Sequence, residues 1–291
     1  MTLLIESMKG LGDNIFQRPF VRAAATREPV YITTPWPEMY TDLPGVHFVR
    51  QPTTLRTQAK NIARQPAARW EPPPRQATAV RFRYTPADLA RQSIIASLER
   101  TLPLQGAPFV FDLPPSTSRH VGAKPYAIVR PVTVRKEWAS ASRGPKHQYL
   151  QSAINLLLAR GLEVVTIADV DGVNETFDGP PPRGQTRPFH SGQLGLVDLI
   201  HMVRNARVVV AGVGFMVPMT IAAGVPLYIV FGGRGGHNAP HVITDPRMDM
   251  SRVGTAIPDR FCMCTDARHA CDKRITGFSE KFNAWLEGAL S

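Results

Sequence analysis

Three stretches of this chain combine residue types and spacings that can do chemistry. The first is Lys9-Gly10-Leu11-Gly12-Asp13-Asn14. Two glycines let a backbone turn sharply and come close to a ligand. A helix starting there would aim free N–H groups and a positive dipole end at a phosphate or carboxylate. The third glycine of the dinucleotide fingerprint is absent. Asp13 also stands where an N-cap residue would stand, so plain helix capping is the competing reading of its side chain. The second stretch is Phe231-Gly232-Gly233-Arg234-Gly235-Gly236-His237-Asn238. It follows an apolar run, and loops at the C-terminal ends of α/β strands are where such sheets hold ligands. Arg234, His237 and Asn238 are its polar candidates; a flexible turn is the alternative. The third is Cys262-Met263-Cys264, then His269-Ala270-Cys271, which holds all three cysteines of the chain. Four such ligands suit a tetrahedral zinc ion in a structural site, although the spacing is not one of the usual paired zinc patterns. A reduced cysteine cluster in a tail loop is the competing reading.

These residues need elements to position them. Apolar runs at 3–6, 30–33, 46–49 and 79–82 read as strands, and helical periodicity covers 14–25 and 86–98, the latter with proline in its first turn. The stretch 113–124, with Pro114, Pro115, Ser116, Thr117, Ser118 and Gly122, breaks the alternation and reads as a linker. It then restarts, with strands at 126–130, 164–168, 207–211 and 227–231. Helices fall at 146–160, 196–205 and 215–223, with Gly161 and Gly224 closing two of them. Alternating strands and helices predict βαβ units and parallel sheets. The predicted fold class is α/β, with a doubly wound domain at 1–113, the linker at 114–124 and a second such domain at 125–291.

Composition narrows the function classes. Hydrophobic residues make up 43% and charged residues 20% of 291, the range of a globular chain with a core. No apolar run reaches the ~18–20 residues that span a bilayer. The start Met1-Thr2-Leu3-Leu4-Ile5-Glu6 reads as a strand rather than a leader, which places the protein in the cytoplasm. An odd cysteine count argues against a disulfide framework. The net charge of +11 suits anionic partners such as nucleotide phosphates, nucleic acid or a phosphorylated glycolipid. It equally serves solubility.

The segment Ser7-Met8-Lys9-Gly10-Leu11-Gly12-Asp13-Asn14-Ile15, followed by Arg18-Pro19-Phe20-Val21-Arg22-Ala23, resembles the opening of glycosyltransferase family 9, the family of the ADP-heptose:lipopolysaccharide heptosyltransferases. The resemblance implies the GT-B fold, two Rossmann-like domains facing across a cleft, and an inverting transfer of a sugar from a nucleotide-diphosphate donor. It implies that Asp13 matches the catalytic base, which would take the proton of the acceptor hydroxyl. Gly10 and Gly12 would lie along the donor. Arg130-Pro131-Val132-Thr133-Val134-Arg135-Lys136-Glu137-Trp138 is similar to the family's basic loop near a Trp, so Arg130, Arg135 and Lys136 would neutralise the diphosphate without a metal. An ordinary solvated basic loop is the alternative. The stretch 195–210 is similar to the family's approach to the donor site. Ala211-Gly212-Val213-Gly214-Phe215-Met216-Val217-Pro218, ahead of Ala222-Ala223 and Pro226, matches only in part. The family's Asp and His are replaced near Val213 and Pro218, which counts against ADP-heptose as donor. The grip passes to backbone groups around Gly212, Gly214, Phe215 and Met216 and to basic side chains, Arg234 and His237 among them.

Three functions are compatible with this reading. One is a transferase acting on a glycan or glycolipid. Another is the same scaffold glycosylating a hydroxylated base in DNA, with Arg50, Arg56, Arg64, Arg69, Arg75, Arg81 and Arg83 forming a phosphate-binding face. The last is a non-catalytic binding protein in which Asp13 only caps a helix. Oligomeric state is not legible.

Overall fold

The computed structural model describes residues 2–291 and contains two parallel sheets. The first is built from β1 (Leu3–Glu6), β2 (Val30–Thr33), β3 (Val46–Val49) and β4 (Thr78–Arg81), in the order β3-β2-β1-β4. Leu3 pairs with Val30 on one side and Thr78 on the other. The helices of this half are α1 (Leu11–Ala25), α2 (Arg56–Ala63), α3 (Pro86–Leu89) and α4 (Ile94–Glu99). The predicted helix over 86–98 is therefore two. Ser93 ends the continuity because its hydroxyl caps the amide of Ala96 at 3.0 Å and donates to Asp245 at 2.7 Å, so the second helix starts afresh.

No helix or strand occupies 113–124. Beyond it lie β5 (Tyr126–Arg130), β6 (Thr133–Arg135), α5 (His147–Ala159), β7 (Glu163–Ile167), β8 (Glu175–Phe177), β9 (Arg187–Phe189), α6 (Leu196–Arg204) and β10 (Val208–Gly212). Then come α7 (Met216–Ala222), β11 (Leu227–Val230), α8 (Gly235–Asn238), α9 (Pro240–Ile243), β12 (Val253–Ala256) and α10 (Phe278–Leu290). The second sheet has the order β12-β11-β10-β5-β7-β9, while β6 and β8 form a separate antiparallel ribbon. The strands that the apolar runs predicted are present within a residue or so. The short β6, β8, β9 and β12 have no apolar run to announce them.

One apolar cluster joins the halves. Ile5, Phe20 and Ile95 share it with Ile128, Val209, Met219 and Ile229. A second cluster lies over the six-stranded sheet, where Phe278, Phe282 and Leu286 of α10 pack with Tyr149, Ile154 and Tyr228. Arg18 is fully buried and fastens the chain that leaves the first half: it pairs with Asp42 at 2.6 Å and Asp112 at 2.9 Å. A buried charge is tolerated when it is paired and hydrogen-bonded in this way.

The start of α1 differs from expectation. Gly10, in an extended conformation, is the N-cap, so Asp13 is the third helical residue and not the cap. From there its carboxylate takes a hydrogen bond from the Gly10 amide, the reach-back half of a capping box. A Cβ on Gly10 would collide with that carboxylate. A Cβ on Gly12 would come to 3.3 Å from Phe215 Cα, at the head of α7, so Gly12 is where two helix starts meet.

Candidate functional site

A cavity of about 880 Å³ is lined from both halves, largely by loops at the C-terminal ends of the strands, with side chains of α2 and α6 completing it. The turn Met8–Asp13 after β1 and Tyr84–Pro86 after β4 come from the first half. Residues 130–135 from the end of β5 through β6, Ile167–Asp169 at the end of β7, Gly212–Phe215 at the end of β10 and Arg234, His237 and Asn238 after β11 come from the second. Open α/β sheets place ligands at this end, because helix N-termini and free loop amides gather there.

The β1 turn is held rigidly. The Asn14 amide donates to Met8 O at 2.7 Å and Gly10 O at 2.8 Å. Trp36 and Gln58 each donate to Lys9 O at 2.9 Å. Asp13 stands on the cavity wall and accepts a 2.7 Å hydrogen bond from Tyr84 Oη at its Oδ1. Burial raises the Asp13 pKa above the ordinary carboxylate range, and the Tyr84 hydroxyl, the Arg143 charge and the Gly10 amide only partly offset it. Burial first, then the Asp13 charge, also raises Tyr84, which stays a protonated donor.

The opposite wall is cationic. Arg130 stacks on the Phe215 ring at 4.7 Å and donates to Ile167 O at 3.3 Å. Burial pushes its pKa down to about 10, with the Arg135 and Arg143 charges adding to the fall and Glu175 opposing it. Arg135 pairs with Glu175 at 2.7 Å. Arg143 makes no side-chain hydrogen bond or ion pair among the described residues. Its pKa is lowered, first by burial and then by Arg234 and Arg135, against the opposing pull of Tyr84 and Asp13. Glu175 serves Arg130 and Arg135 together, while Arg143 and Arg234 have no carboxylate partner among the described residues, and an excess of guanidinium over carboxylate suits an anion. Arg234 sits in the left-handed region at φ 57 and donates to Thr265 O at 3.1 Å. Burial, then Arg234, lowers His237, which favours its neutral form.

The structure brings Gly10, Gly12, Asp13, Arg130, Arg135, Gly212, Gly214, Phe215, Arg234 and His237 to one cavity. Two candidates lie elsewhere. Lys136 is exposed beyond the wall, because the short helix Lys136–Trp138 turns it outward. Met216, the first residue of α7, is fully buried in the apolar core. Gly212 also has a packing reason, since a Cβ there would stand 3.0 Å from Pro145 Cδ, whereas Gly214 faces open space.

Sequence reasoning missed Tyr84, Arg143 and Asp169. Tyr84 and Arg143 precede Thr85-Pro86 and Gly144-Pro145 just ahead of helices, a turn signal that marks a loop but not what it faces. Asp169 pairs with Arg56 at 3.1 Å and Lys60 at 2.9 Å, while its Oδ2 is buried without a protein partner. Arg56 and Arg64 of the expected phosphate-binding face are likewise turned to the second half. Arg56 also pairs with Asp171 at 3.1 Å, and Arg64 donates to Gly192 O at 2.8 Å. Arg81 lies 3.7 Å from Glu6 and Arg69 donates to Gln65, leaving Arg50, Arg75 and Arg83 exposed.

Behind the cationic wall, and outside the cavity lining, lie the cysteines. The ligand atoms of Cys262, Cys264, His269 and Cys271 are all within 4.8 Å of one another, and the three thiols are free. This group can hold a metal ion. No helix among the described residues is long and apolar enough to cross a membrane.

No protein-family model and no curated protein matches the sequence at a significant level. Solved structures do match the fold. The iron-containing dodecameric glycosyltransferase TibC from enterotoxigenic E. coli is 15% identical over 99% of this chain and 75% of its own, with a TM-score of 0.64. TibC in complex with ADP-D-β-D-heptose gives 14%, 99%, 77% and 0.63. The E. coli ADP-heptose lipopolysaccharide heptosyltransferase II is 12% identical over 100% of both chains, at 0.56. A family 9 glycosyltransferase from Veillonella parvula is 11% identical over 99% of this chain and 97% of its own, at 0.59. The fold these residues build is thus the one seen in the family 9 heptosyltransferases, which the resemblance at Ser7–Ala23 led one to expect.

Proposed function

We propose that this chain is a GT-B glycosyltransferase, with Rossmann-like domains at 1–113 and 125–291 joined by 114–124 and facing each other across the cavity. The observation that carries the reading is the pairing within one cavity of a hydrogen-bonded carboxylate, Asp13, with the unpaired Arg143 guanidinium. In this reading Asp13 takes the proton from an acceptor hydroxyl. The freed oxygen attacks the sugar's anomeric carbon from the face opposite the diphosphate, so the configuration inverts. The bond to the diphosphate oxygen breaks, and the departing charge passes to Arg143, Arg234, Arg135 and Arg130 and to amides near Gly214. Arginines suit this because they stay charged and meet phosphate oxygens two at a time. A carboxylate with a raised pKa is a stronger base, provided the solution is alkaline enough to ionise it. His237 and the backbone at Gly10, Gly12 and Gly212 border the same space.

The donor is a nucleotide-diphosphate sugar, as the complex of TibC with ADP-heptose illustrates for that protein. Its base and sugar are open, because Val213 and Pro218 replace the residues that the family resemblance calls for. The acceptor is a hydroxyl of a glycan or glycolipid; DNA is the second candidate, favoured only by the exposed Arg50, Arg75 and Arg83. The cytoplasm is the proposed location. The cysteine cluster is proposed to hold a structural zinc with no part in bond breaking.

The test is a thermal-shift screen against nucleoside diphosphates and nucleotide sugars, run on the full chain and Asp13→Ala. A ligand that binds only the native state raises the melting temperature with concentration. The expected result is a shift with one nucleotide series, kept in Asp13→Ala, followed by sugar transfer that Asp13→Ala loses. No shift with any nucleotide, in folded protein, rules the transferase out.

A further inference from the structure

We propose that the metal held by Cys262, Cys264, His269 and Cys271 is a brace for the two loops that carry Arg143 and Arg234. Three of the six ligand–ligand distances are close to those around a tetrahedral ion, and all six lie within 4.8 Å. Cys264 Sγ and Cys271 Sγ are 3.5 Å apart, His269 Nδ1 and Cys271 Sγ 3.3 Å, and Cys262 Sγ and His269 Nδ1 3.5 Å. Zinc–sulfur and zinc–nitrogen bonds of about 2.3 and 2.0 Å put tetrahedral neighbours roughly 3.5–3.8 Å apart. Three thiols and an imidazole are a soft donor set that suits zinc or thiolate-bound iron and not a hard cation; zinc, which holds this geometry without redox change, is the metal proposed. Each coordinating thiol releases its proton as its sulfur–metal bond forms.

The segment that supplies the ligands has little else to hold it. Residues 262–271 include no helix or strand, none of them is buried, and Met263 is 53% exposed. Yet both cationic loops lean on it. The amide of Gly235 donates to Cys262 O at 2.8 Å and that of Gly236 to Cys264 O at 3.2 Å. Arg234 reaches Thr265 O, which restrains its left-handed backbone. On the Arg143 side, Ser142 donates from its amide to Ala267 O at 3.2 Å and from its hydroxyl to Asp266 O at 2.8 Å. The glycines of the first loop are explained by the same contact: a Cβ on Gly233 would collide with Cys271 Sγ, and one on Gly235 would sit 2.5 Å from Met263 Sδ. The loops bearing Arg234 and Arg143 thus share one support, and four ligand atoms fix its shape. Coordination of a metal supplies order that a segment without a core cannot generate from packing.

The experiment uses the full chain, as purified, after chelation, and after return of zinc, with Cys271→Ser in parallel. Elemental analysis should find one zinc per chain in the first and third samples. Amide exchange should be slow at 140–144 and 232–238 when zinc is present. It should quicken at least tenfold there on chelation, with the strands of the first sheet unchanged. Cys271→Ser should lose the metal and match the chelated protein. Absence of any bound metal, or bound metal whose removal leaves exchange at both loops unaltered, overturns the proposal. Iron in place of zinc overturns the choice of metal. The link to diphosphate binding rests on the transferase reading. It is measured separately, as a loss of the nucleotide-induced thermal shift on chelation. If the loops order with zinc but no nucleotide ever binds, the transferase reading falls and the brace stands.

Discussion

The two walls of the cavity are built on different principles. The first-half wall offers one carboxylate in a rigid frame: Asp13 is held by Tyr84 and Gly10, and the turn behind it by Asn14, Trp36 and Gln58. The second-half wall offers several guanidiniums, with Arg130 and Arg135 at strand ends and Arg143 and Arg234 on loops that rest on the cysteine segment. A proton acceptor must stay within hydrogen-bond reach of one atom, which favours a fixed mount. A diphosphate has many equivalent oxygens and spreads its charge, so a looser array of cations can serve it. The contrast is open to attack from either wall.

The largest effect should come from the rigid wall. Asp13→Ala should lower turnover by roughly 10²–10⁴-fold, the usual contribution of a general base, while leaving the nucleotide-induced thermal shift in place. Loss of nucleotide binding in that variant would erase the division of labour. Next, Arg143→Ala should cost about 10–10³-fold in kcat/KM and weaken nucleotide binding, whereas Lys136→Ala, outside the cavity, should leave both near wild type. Equal losses in the two would show that overall charge, not the wall, does the work.

Smaller effects test the frame. The Tyr84 hydrogen bond favours ionised Asp13, so Tyr84→Phe should move the acidic limb of the pH–rate profile to higher pH. A uniform drop in rate with an unmoved limb would mean that Tyr84 only shapes the wall. The stability counterpart has a definite sign. Because the folded-state pKa of Asp13 lies above its unfolded value, ionising it opposes folding, and the cost grows as pH rises from the unfolded to the folded pKa. Asp13→Asn should therefore melt higher than the parent near neutral pH and lose that margin in acid. A melting temperature below the parent's at neutral pH would contradict the burial argument.

Much of this was legible before any fold was known. Runs such as Val208-Val209-Val210 and the periodic helix at 147–159 announce themselves, because strand and helix repeats impose distinct apolar spacings. The glycine turn placed Asp13 at a helix start near a sheet's end. The break at Ser93 was missed because a cap forms only where the fold gives the next helix a new direction. Tyr84 and Arg143 lie 71 and 130 positions from Asp13, a separation no local pattern encodes.

What the sequence by itself determined is therefore the longer strands and helices, the glycine-flanked carboxylate and the close spacing of the three cysteines and a histidine. These depend on neighbours along the chain, through periodicity, turn chemistry and ligand type. The tertiary structure decided which side chains face each other. It withdrew Lys136 and Met216 from the cavity, turned Arg56 and Arg64 from a free basic face to contacts between the halves, and set Arg143 opposite Asp13. Those outcomes follow from sheet order and helix packing, in which residues distant along the chain meet only because a shared core draws them together.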